Sequence, residues 1–313
     1  MELITVRDIY KNFEKEGKLP LRVTVCIDEL FEPEILTKEK LNNPYRKVQL
    51  GAYKIFSDGS MGSRSAALKE PYSDDPENSG FMLFTQEELN NKILTGYEHG
   101  LQPEIHAIGD RALDMTLAAI EYTLKTTKEK GMTDEEQKNR LPFRIIHVQM
   151  IDDDLLERMK KLPLVLDIQP IFLCTDLHWI EDRIGKERLK GSFALKTMEK
   201  AGLIQTGGSD CPVETYEPLK GIYAAVTRQD MEGYPIEGFL PEERLSVYEA
   251  LCMHTKNVHY ATGQESVLGT LEIGKFADLT VLEKNLFKID KKEIKDVKVE
   301  QTYVAGNCVF MIK

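Results

Sequence analysis

The sequence lacks the features that mark several classes of protein. No run of apolar residues is long enough to span a bilayer, and residues 1–8 do not join a basic region to an apolar one, as a secretory signal does. No basic stripe interleaved with aromatic residues is present, and the formal net charge is -11. We therefore expect a cytoplasmic protein that has neither nucleic acid nor a membrane as its partner.

Cysteine is also scarce, and the common nucleotide-binding patterns are missing. The five cysteines are scattered without CxxC spacing, which predicts reduced, mostly core residues rather than disulfides or a zinc ribbon. No GxGxxG follows a predicted strand, and neither GxxxxGKS nor GxxxxGKT occurs. The dinucleotide-binding and P-loop folds therefore lose their main support.

What is present is a large apolar content arranged in alternating strand and helix patterns. With 313 residues and 42% hydrophobic content, the chain can bury a large core. Short apolar runs alternate with amphipathic stretches over residues 1–265, which predicts an α/β fold with a parallel sheet, either open or closed into a barrel. The strands are predicted at residues 21–27, 51–56, 103–106, 143–146, 164–168 and 203–206.

Helices and one long connection are predicted between these strands. Asp110 is placed to cap the helix that follows the third strand. Residues 57–80 are rich in Gly, Ser, Pro and Asp and are too long for a plain connector, so we expect a binding or lid role. The clearest helix signals cover residues 5–16, 32–41, 111–130 and 247–262.

The pattern changes near the C-terminus. Residues 266–313 carry short apolar runs without intervening helices, which predicts a small separate β-subdomain. Its strands are predicted at residues 279–282, 297–304 and 308–312.

Four residues at equivalent places along the strand series carry the strongest chemical signal. Lys54, His106 and His147 lie near the carboxyl ends of predicted strands, and Asp210 follows the last strand and two glycines. Each alone has a structural explanation, since a strand-end histidine is often satisfied within the fold, a lysine reaches solvent and an aspartate caps a helix. Because the carboxyl ends of parallel strands share one edge of a sheet, we expect the four side chains to converge.

Convergence of these side chains favours hydrolytic chemistry at a metal ion. Imidazole nitrogens and carboxylate oxygens suit zinc or a similar divalent ion. Such an ion lowers the pKa of a coordinated water and so supplies hydroxide as a nucleophile. Asp210 could then take the proton from that water and pass it to a leaving group.

Several segments of the chain resemble one known family. They are Lys-Ile-Phe-Ser-Asp-Gly-Ser at 54–60, His-Ala-Ile-Gly-Asp at 106–110, Arg-Ile-Ile-His-Val-Gln at 144–149 and Gly-Ser-Asp-Cys-Pro-Val at 208–213. These motifs are similar to the amidohydrolase superfamily, and within it to amidohydrolase family 3, the group that contains the N-substituted formamide deformylases. The resemblance implies an incomplete (β/α)8 TIM barrel, made of the family's strands three to eight, with part of a small β-sandwich subdomain.

The resemblance also implies roles for individual residues. Lys54 corresponds to the family's carboxylated lysine, whose carbamate bridges two metal ions, and His106 and His147 correspond to metal ligands. Asp210 corresponds to the aspartate that is both a metal ligand and the catalytic proton shuttle. The implied activity is hydrolysis of the carbon–nitrogen bond of a small amide or formamide, not a peptide, with one or two divalent ions, zinc above all. The residues expected to contact the substrate are Asp58, Arg64, His178 and Trp179.

One expected motif is absent. The family's His-x-His pair, which belongs to its first strand, is not found, since no two of the six histidines are two residues apart. We therefore expect the chain to be the C-terminal part of a longer enzyme, impaired alone, holding one ion or none, with a second copy of the chain covering the open barrel edge. A non-catalytic binding or regulatory protein that keeps this fold is the alternative, and a metal-dependent phosphoesterase barrel is a further one.

Overall fold

The structure, a computed structural model, describes residues 6–28 and 46–312, which contain one large parallel sheet and one small antiparallel sheet. The predicted helix at residues 32–41 lies outside the described residues. The large sheet has six strands whose spatial order is their order along the chain, and it curls into half of a barrel, as predicted. Its strands are β1 (Val23–Asp28), β2 (Val48–Phe56), β3 (Pro103–Ala107), β4 (Phe143–His147), β5 (Leu164–Ile168) and β6 (Ile204–Gly207).

Helices connect successive strands from β2 to β6, as the alternating pattern predicted. None of the helices in the described ranges is long and apolar enough to cross a membrane. The helices are α1 (Val6–Lys15), α2 (Gln86–Glu98), α3 (Asp110–Glu129), α4 (Asp134–Lys138), α5 (Asp153–Met159), α6 (Phe172–Asp176), α7 (Ile180–Ile184), α8 (Leu195–Lys200), α9 (Pro218–Thr227), α10 (Val247–Met253) and α11 (Lys256–Ala261). Short 3-10 helices lie at Lys186–Gly191, Pro241–Glu243 and Lys291–Asp296.

The two faces of the large sheet differ in chemistry because side chains alternate along each strand. Ile55, Ile105 and Ile145 lie side by side on neighbouring strands, and all three are fully buried in the core shared with the helices. The preceding residues, Lys54 and Glu104, are also paired in register, but they point to the opposite face. The interior of the half-barrel is therefore polar, while its outer face forms the hydrophobic core.

The small sheet is made of β7 (Leu279–Leu282), β8 (Val299–Val304) and β9 (Asn307–Met311) in an antiparallel arrangement. These strands lie within the predicted subdomain at residues 266–313 and agree with the predicted strands to within two residues at each end. Arg22, which precedes β1, ties this sheet to the large one, because its Nε lies 2.6 Å from Oδ2 of Asp278. The domain boundary itself stays a prediction.

Two helix predictions are wrong in detail. Asp110 does not cap the helix after β3, because α3 begins at Asp110 itself and Gly109 is the N-cap residue. The Asp110 carboxylate accepts hydrogen bonds from the backbone N–H groups of Lys69 at 2.8 Å and of Arg111, the next residue, at 2.9 Å. The predicted helix at residues 247–262 is two helices, α10 and α11, because Thr255 leaves the helical conformation with φ -131° and ψ -99°.

Candidate functional site

The four residues predicted to form a metal site lie at one edge of the half-barrel. Lys54 is in β2, His106 is in β3, His147 ends β4, and Asp210 follows β6. The imidazole rings of His106 and His147 meet edge to face, with centroids 4.5 Å apart and planes at 74°. Burial lowers the pKa of Lys54, and the charges of Glu104 and Asp210 oppose this shift. The two imidazole rings are thus in contact, and Lys54 and Asp210 lie near enough to affect each other's pKa. The chemical roles of all four residues stay predictions.

The backbone is strained where these strands end. The φ angle is +77° at His147, +47° at Val148 and +53° at Asp210, in the left-handed region that L-residues rarely adopt. Each such residue costs on the order of 1–3 kcal/mol, which the surrounding structure must offset. The Val148 N–H contributes by donating to the carbonyl oxygen of Ala107 at 3.1 Å. Strain of this kind is typical of functional sites, where it aims a side chain that a relaxed strand would direct elsewhere.

His106 has one ring nitrogen committed to the protein. Its Nε2 lies 3.0 Å from the carbonyl oxygen of Gly59 and 3.2 Å from Oδ1 of Asp58. A carbonyl oxygen can only accept, so Nε2 carries the hydrogen in the neutral ring. Nδ1 then has the lone pair, and it is the atom of His106 that can bind a metal ion.

Asp58 lies beneath His106 and holds the loops around it. Its Oδ2 accepts hydrogen bonds from the backbone N–H groups of Ala67 and Gly109, each at 2.9 Å, and its Oδ1 accepts one from Ile108 at 3.1 Å. The side chain is fully buried. The substrate contact expected of Asp58 stays a prediction, and this geometry favours a positioning role.

His147 is also held through one ring nitrogen, but through Nδ1 instead of Nε2. Its Nδ1 lies 2.7 Å from Oε1 of Gln169, and its ring stacks on Phe172 with centroids 5.7 Å apart. Burial, followed by the charges of His106 and Lys54, lowers the pKa of His147 well below its ordinary value. The ring is therefore neutral at physiological pH, which is the state that binds a metal ion.

Three buried charged residues beside Lys54 form a layer that the sequence did not predict. They are Glu104, Arg144 and Asp167. Arg144 in β4 contacts Glu104 at 2.9 Å and Asp167 at 2.7 Å, and the three side chains are 14%, 7% and 9% exposed. Burial raises the pKa of Asp167 to about 6, although the charge of Arg144 opposes the shift. The signal available in the sequence is that Arg144 and Asp167 interrupt the apolar runs of two strands, as residues on a polar barrel interior do.

Arg64 and Trp179 lie where the long loop, residues 57–80, meets α7. The Arg64 guanidinium donates to both carboxylate oxygens of Asp74, at 2.9 Å and 2.8 Å, so it is engaged within the loop. Arg183 also bonds Asp74, and its guanidinium lies over the Trp179 ring, 5.4 Å from the centroid. The substrate contacts expected of Arg64 and Trp179 stay predictions.

The long loop is pinned by its own side chains and by a neighbouring segment. The buried Tyr72 hydroxyl donates to the carbonyl oxygen of Ala66 at 2.8 Å. Arg188 reaches across from outside the loop and donates to the carbonyl oxygen of Glu70 at 3.0 Å. A loop held in this way opens with difficulty, so of the two expected roles, binding is favoured over a lid.

His178 belongs to a separate polar cluster beyond α6. Its Nε2 lies 2.9 Å from Oδ2 of Asp230, and its ring stacks on Tyr234 with centroids 5.8 Å apart and planes at 12°. Half of the His178 side chain is exposed, so it remains available to a ligand. Its contact with substrate stays a prediction.

Asp176, at the end of α6, is a buried carboxyl group whose protonation affects stability. Burial raises its pKa to about 7, the hydrogen bond from Nε2 of Gln149 at 3.0 Å opposes this shift, and the charge of Glu214 adds to it. The folded protein therefore holds the proton more tightly than the unfolded chain. The resulting stabilisation is complete below about pH 4 and is lost as the pH rises through about 7.

We expect Asp176→Asn to raise the free energy of unfolding at pH 8 by about 2–4 kcal/mol, because the amide is neutral at every pH. The gain at pH 5 should be no more than about half as large, since the carboxyl group is then protonated in the folded state. Urea denaturation of both proteins at the two pH values measures the difference. A gain that is equal at pH 5 and pH 8 would contradict the role of this ionisation.

The donor atoms at the site fit a divalent ion only in part. Across residues 6–28 and 46–312, no group of three His, Cys, Asp or Glu side chains lies close enough to hold a metal ion. The other ring nitrogen of each histidine is hydrogen-bonded to the protein, which leaves Nδ1 of His106 and Nε2 of His147 as two nitrogen donors whose chemistry suits a zinc-like ion. A third donor must come from Asp210 or from Lys54, and a lysine ammonium group has no lone pair to give. Lys54 therefore fits only in a deprotonated form such as a carbamate.

Comparison with known proteins decides the family. The family model described as "Amidohydrolase family" matches residues 7–310. The chain belongs to the amidohydrolase family. The resemblance seen in the motifs is therefore confirmed, and so is the barrel-derived fold that it implied.

Relatives of this chain are longer than the chain itself. It is 36% identical over 301 residues to the Bacillus subtilis (strain 168) protein named "Putative amidohydrolase YtcJ", which covers 96% of this chain and 54% of that protein. It is 26% identical over 308 residues to the N-substituted formamide deformylase of Arthrobacter pascens, again covering 96% and 54%. The chain spans about half the length of these curated relatives.

A solved structure shows the same fold. An uncharacterized metal-dependent hydrolase from Pyrococcus horikoshii superimposes with a TM-score of 0.76 at 31% sequence identity. The match covers 91% of this chain and 55% of that chain. The six-stranded sheet and the small antiparallel sheet are therefore an amidohydrolase arrangement.

Proposed function

We propose that the site of this chain binds a divalent metal ion, preferably zinc, and serves the hydrolysis of carbon–nitrogen bonds in small amides or formamides. The observation that carries the proposal is the pair of oriented imidazoles, each with one nitrogen bonded inside the protein and the other left to bind an ion. The names of two relatives, a formamide deformylase and a metal-dependent hydrolase, support the same chemistry.

The chain's own residues would hold the ion and move the proton. A bound ion supplies a Lewis acid that polarises a carbonyl group and lowers the pKa of water. His106 would bind it through Nδ1 and His147 through Nε2, with Lys54, as its carbamate, beside them. Burial raises the pKa of Asp210, and the charges of Lys54 and His106 oppose this rise. In this proposal the Asp210 carboxylate would accept a proton from water and donate it to the departing amine.

We expect one tightly bound ion per chain, and titration of the metal-free protein with Zn²⁺ tests this. At a free ion concentration of about 100 Kd, binding should raise the free energy of unfolding by about 2.7 kcal/mol. His147→Ala removes one of the two oriented nitrogens and should weaken binding by about 100-fold or more. Isothermal titration calorimetry gives the affinity and the number of ions.

His99→Ala is the matched control, because His99 lies at the C-terminal end of α2 and its Nδ1 contacts the Thr95 carbonyl oxygen at 2.8 Å. Its Zn²⁺ affinity should equal that of the unchanged protein. An equal loss of Zn²⁺ affinity in His147→Ala and His99→Ala would contradict the proposed site, and so would two tightly bound ions per chain. A hydrolysis panel of formamides, amides and phosphoesters tests the reaction class, since cleavage of phosphoesters alone would favour a phosphoesterase.

A further inference from the structure

We infer that Gln169 is a positioning residue of the candidate metal site, which selects the tautomer of His147 that presents Nε2 to the ion. The inference rests on the proposed metal site and adds to it a residue that binds no ion itself. It concerns the direction of two hydrogen bonds that meet at one side-chain amide.

The Gln169 amide is buried between a backbone carbonyl group and the ring of His147. The residue follows β5 directly, and its side chain is almost fully buried. Its Nε2 lies 3.0 Å from the carbonyl oxygen of Asp167, and its Oε1 lies 2.7 Å from Nδ1 of His147. Both ends of the amide are therefore engaged at short distance.

The chemistry of the partners allows only one direction for these bonds. The Asp167 carbonyl oxygen can accept but not donate, so the amide NH₂ group must face it. The amide oxygen must then face His147, and it too can only accept. Nδ1 of His147 therefore carries the hydrogen of the neutral ring, which leaves the lone pair on Nε2.

The carbonyl group that starts this chain of bonds is itself firmly held. Asp167 lies inside the parallel sheet, in register with Ile146 on one side and Thr206 on the other. Its carboxylate accepts a hydrogen bond from Nε of Arg144 at 2.7 Å. The reference point for the amide is thus a strand that is paired on both sides within the sheet, and not a loop.

Loss of this amide should affect metal binding without removing a ligand. Hydrogen-bonding partners of a ligating histidine fix its tautomer and orientation, and their removal typically lowers metal affinity by about 10–100-fold. In Gln169→Leu, Nδ1 of His147 loses its acceptor, so the ring can place its hydrogen on either nitrogen. The form with the hydrogen on Nε2 cannot bind an ion through that atom.

The test compares Gln169→Leu and Gln169→Glu with the unchanged protein. Long-range ¹H–¹⁵N NMR spectra of the metal-free proteins report which nitrogen of His147 carries the hydrogen, and chelator competition reports the Zn²⁺ affinity. We expect the Nδ1–H tautomer in the unchanged protein and in Gln169→Glu, which keeps an acceptor oxygen for Nδ1. Gln169→Leu should show a mixture of tautomers and an affinity about 10–100-fold lower.

Gln149→Leu is a matched control, since Gln149 is a buried glutamine two residues from His147 whose Nε2 donates to Asp176 at 3.0 Å. It should keep the tautomer and affinity of the unchanged protein. An Nε2–H tautomer in the unchanged protein would overturn the inference, as would Gln169→Leu with unaltered tautomer and affinity. If Gln169→Leu fails to fold, the unchanged protein and Gln169→Glu still decide the tautomer. If the tautomers are as expected but no variant binds Zn²⁺, Gln169 does select the tautomer of His147. The proposed metal site, and not this inference, would then be overturned.

Discussion

Replacing Arg144 with methionine is expected to lower the free energy of unfolding by about 3–5 kcal/mol. Arg144 bridges Glu104 at 2.9 Å and Asp167 at 2.7 Å in the interior of the half-barrel. Methionine keeps much of the side-chain volume but not the charge, so two buried carboxylates would lose the guanidinium that contacts them both. Urea denaturation at pH 7, followed by circular dichroism, measures the change.

Arg158→Met is the matched control for this prediction. Arg158 also contacts two carboxylates, those of Asp114 and Glu121, but each of these side chains is 44% exposed. Exposed ion pairs contribute about 0–1 kcal/mol, so the loss should stay below about 1 kcal/mol. Similar losses in Arg144→Met and Arg158→Met would show that burial of the Arg144 pairs has little effect on stability.

A triple variant separates two causes of the expected loss of stability. One is the loss of favourable contacts, and the other is the cost of buried carboxylates left without their partner. Combining Arg144→Met with Glu104→Gln and Asp167→Asn leaves no ionised group in this layer. We expect it to recover most of the stability lost in Arg144→Met, because breaking one partner of a buried pair is far more harmful than replacing the whole set.

The strands could be predicted wherever an apolar run had clear ends. β5 was predicted at residues 164–168 and is observed at Leu164–Ile168. β2 begins earlier than predicted, at Val48, because Gly51, the first residue of the predicted strand, lies inside the observed one. A Cβ atom at Gly51 would lie 2.5 Å from Cγ2 of Thr24, so the glycine is there to let β1 approach closely. A contact between distant residues sets this feature, and a local pattern does not reveal it.

The residues proposed to bind the ion could be predicted from the sequence, but the residues that orient them could not. Strand-end positions identify His106 and His147, because parallel strands place their carboxyl ends together. Gln169 lies 22 residues beyond His147, and nothing in the local sequence distinguishes it from other glutamines. Gln149 is much nearer to His147 in the chain, yet it bonds Asp176. Residues that act through hydrogen bonds across the fold therefore require the structure.

Asp58→Ala is expected to lower the free energy of unfolding by at least about 3 kcal/mol and to weaken Zn²⁺ binding. The backbone N–H groups of Ala67, Ile108 and Gly109 would lose the acceptor that now lies 2.9–3.1 Å away. Each buried donor left without a partner costs about 1–3 kcal/mol. His106 would also lose the carboxylate 3.2 Å from its Nε2. Urea denaturation and chelator competition measure the two effects separately.

Asp75→Ala is the control for Asp58→Ala, because Asp75 belongs to the same loop and its carboxylate accepts from Nδ2 of Asn78 at 3.1 Å near the surface. Its effect on unfolding should be about 1 kcal/mol or less, with no change in Zn²⁺ affinity. Unaltered stability in Asp58→Ala would contradict the network of buried donors. Lower stability with unaltered Zn²⁺ affinity would show that Asp58 holds the loop without orienting His106, because the Gly59 carbonyl oxygen, 3.0 Å from Nε2, would then suffice to fix the ring.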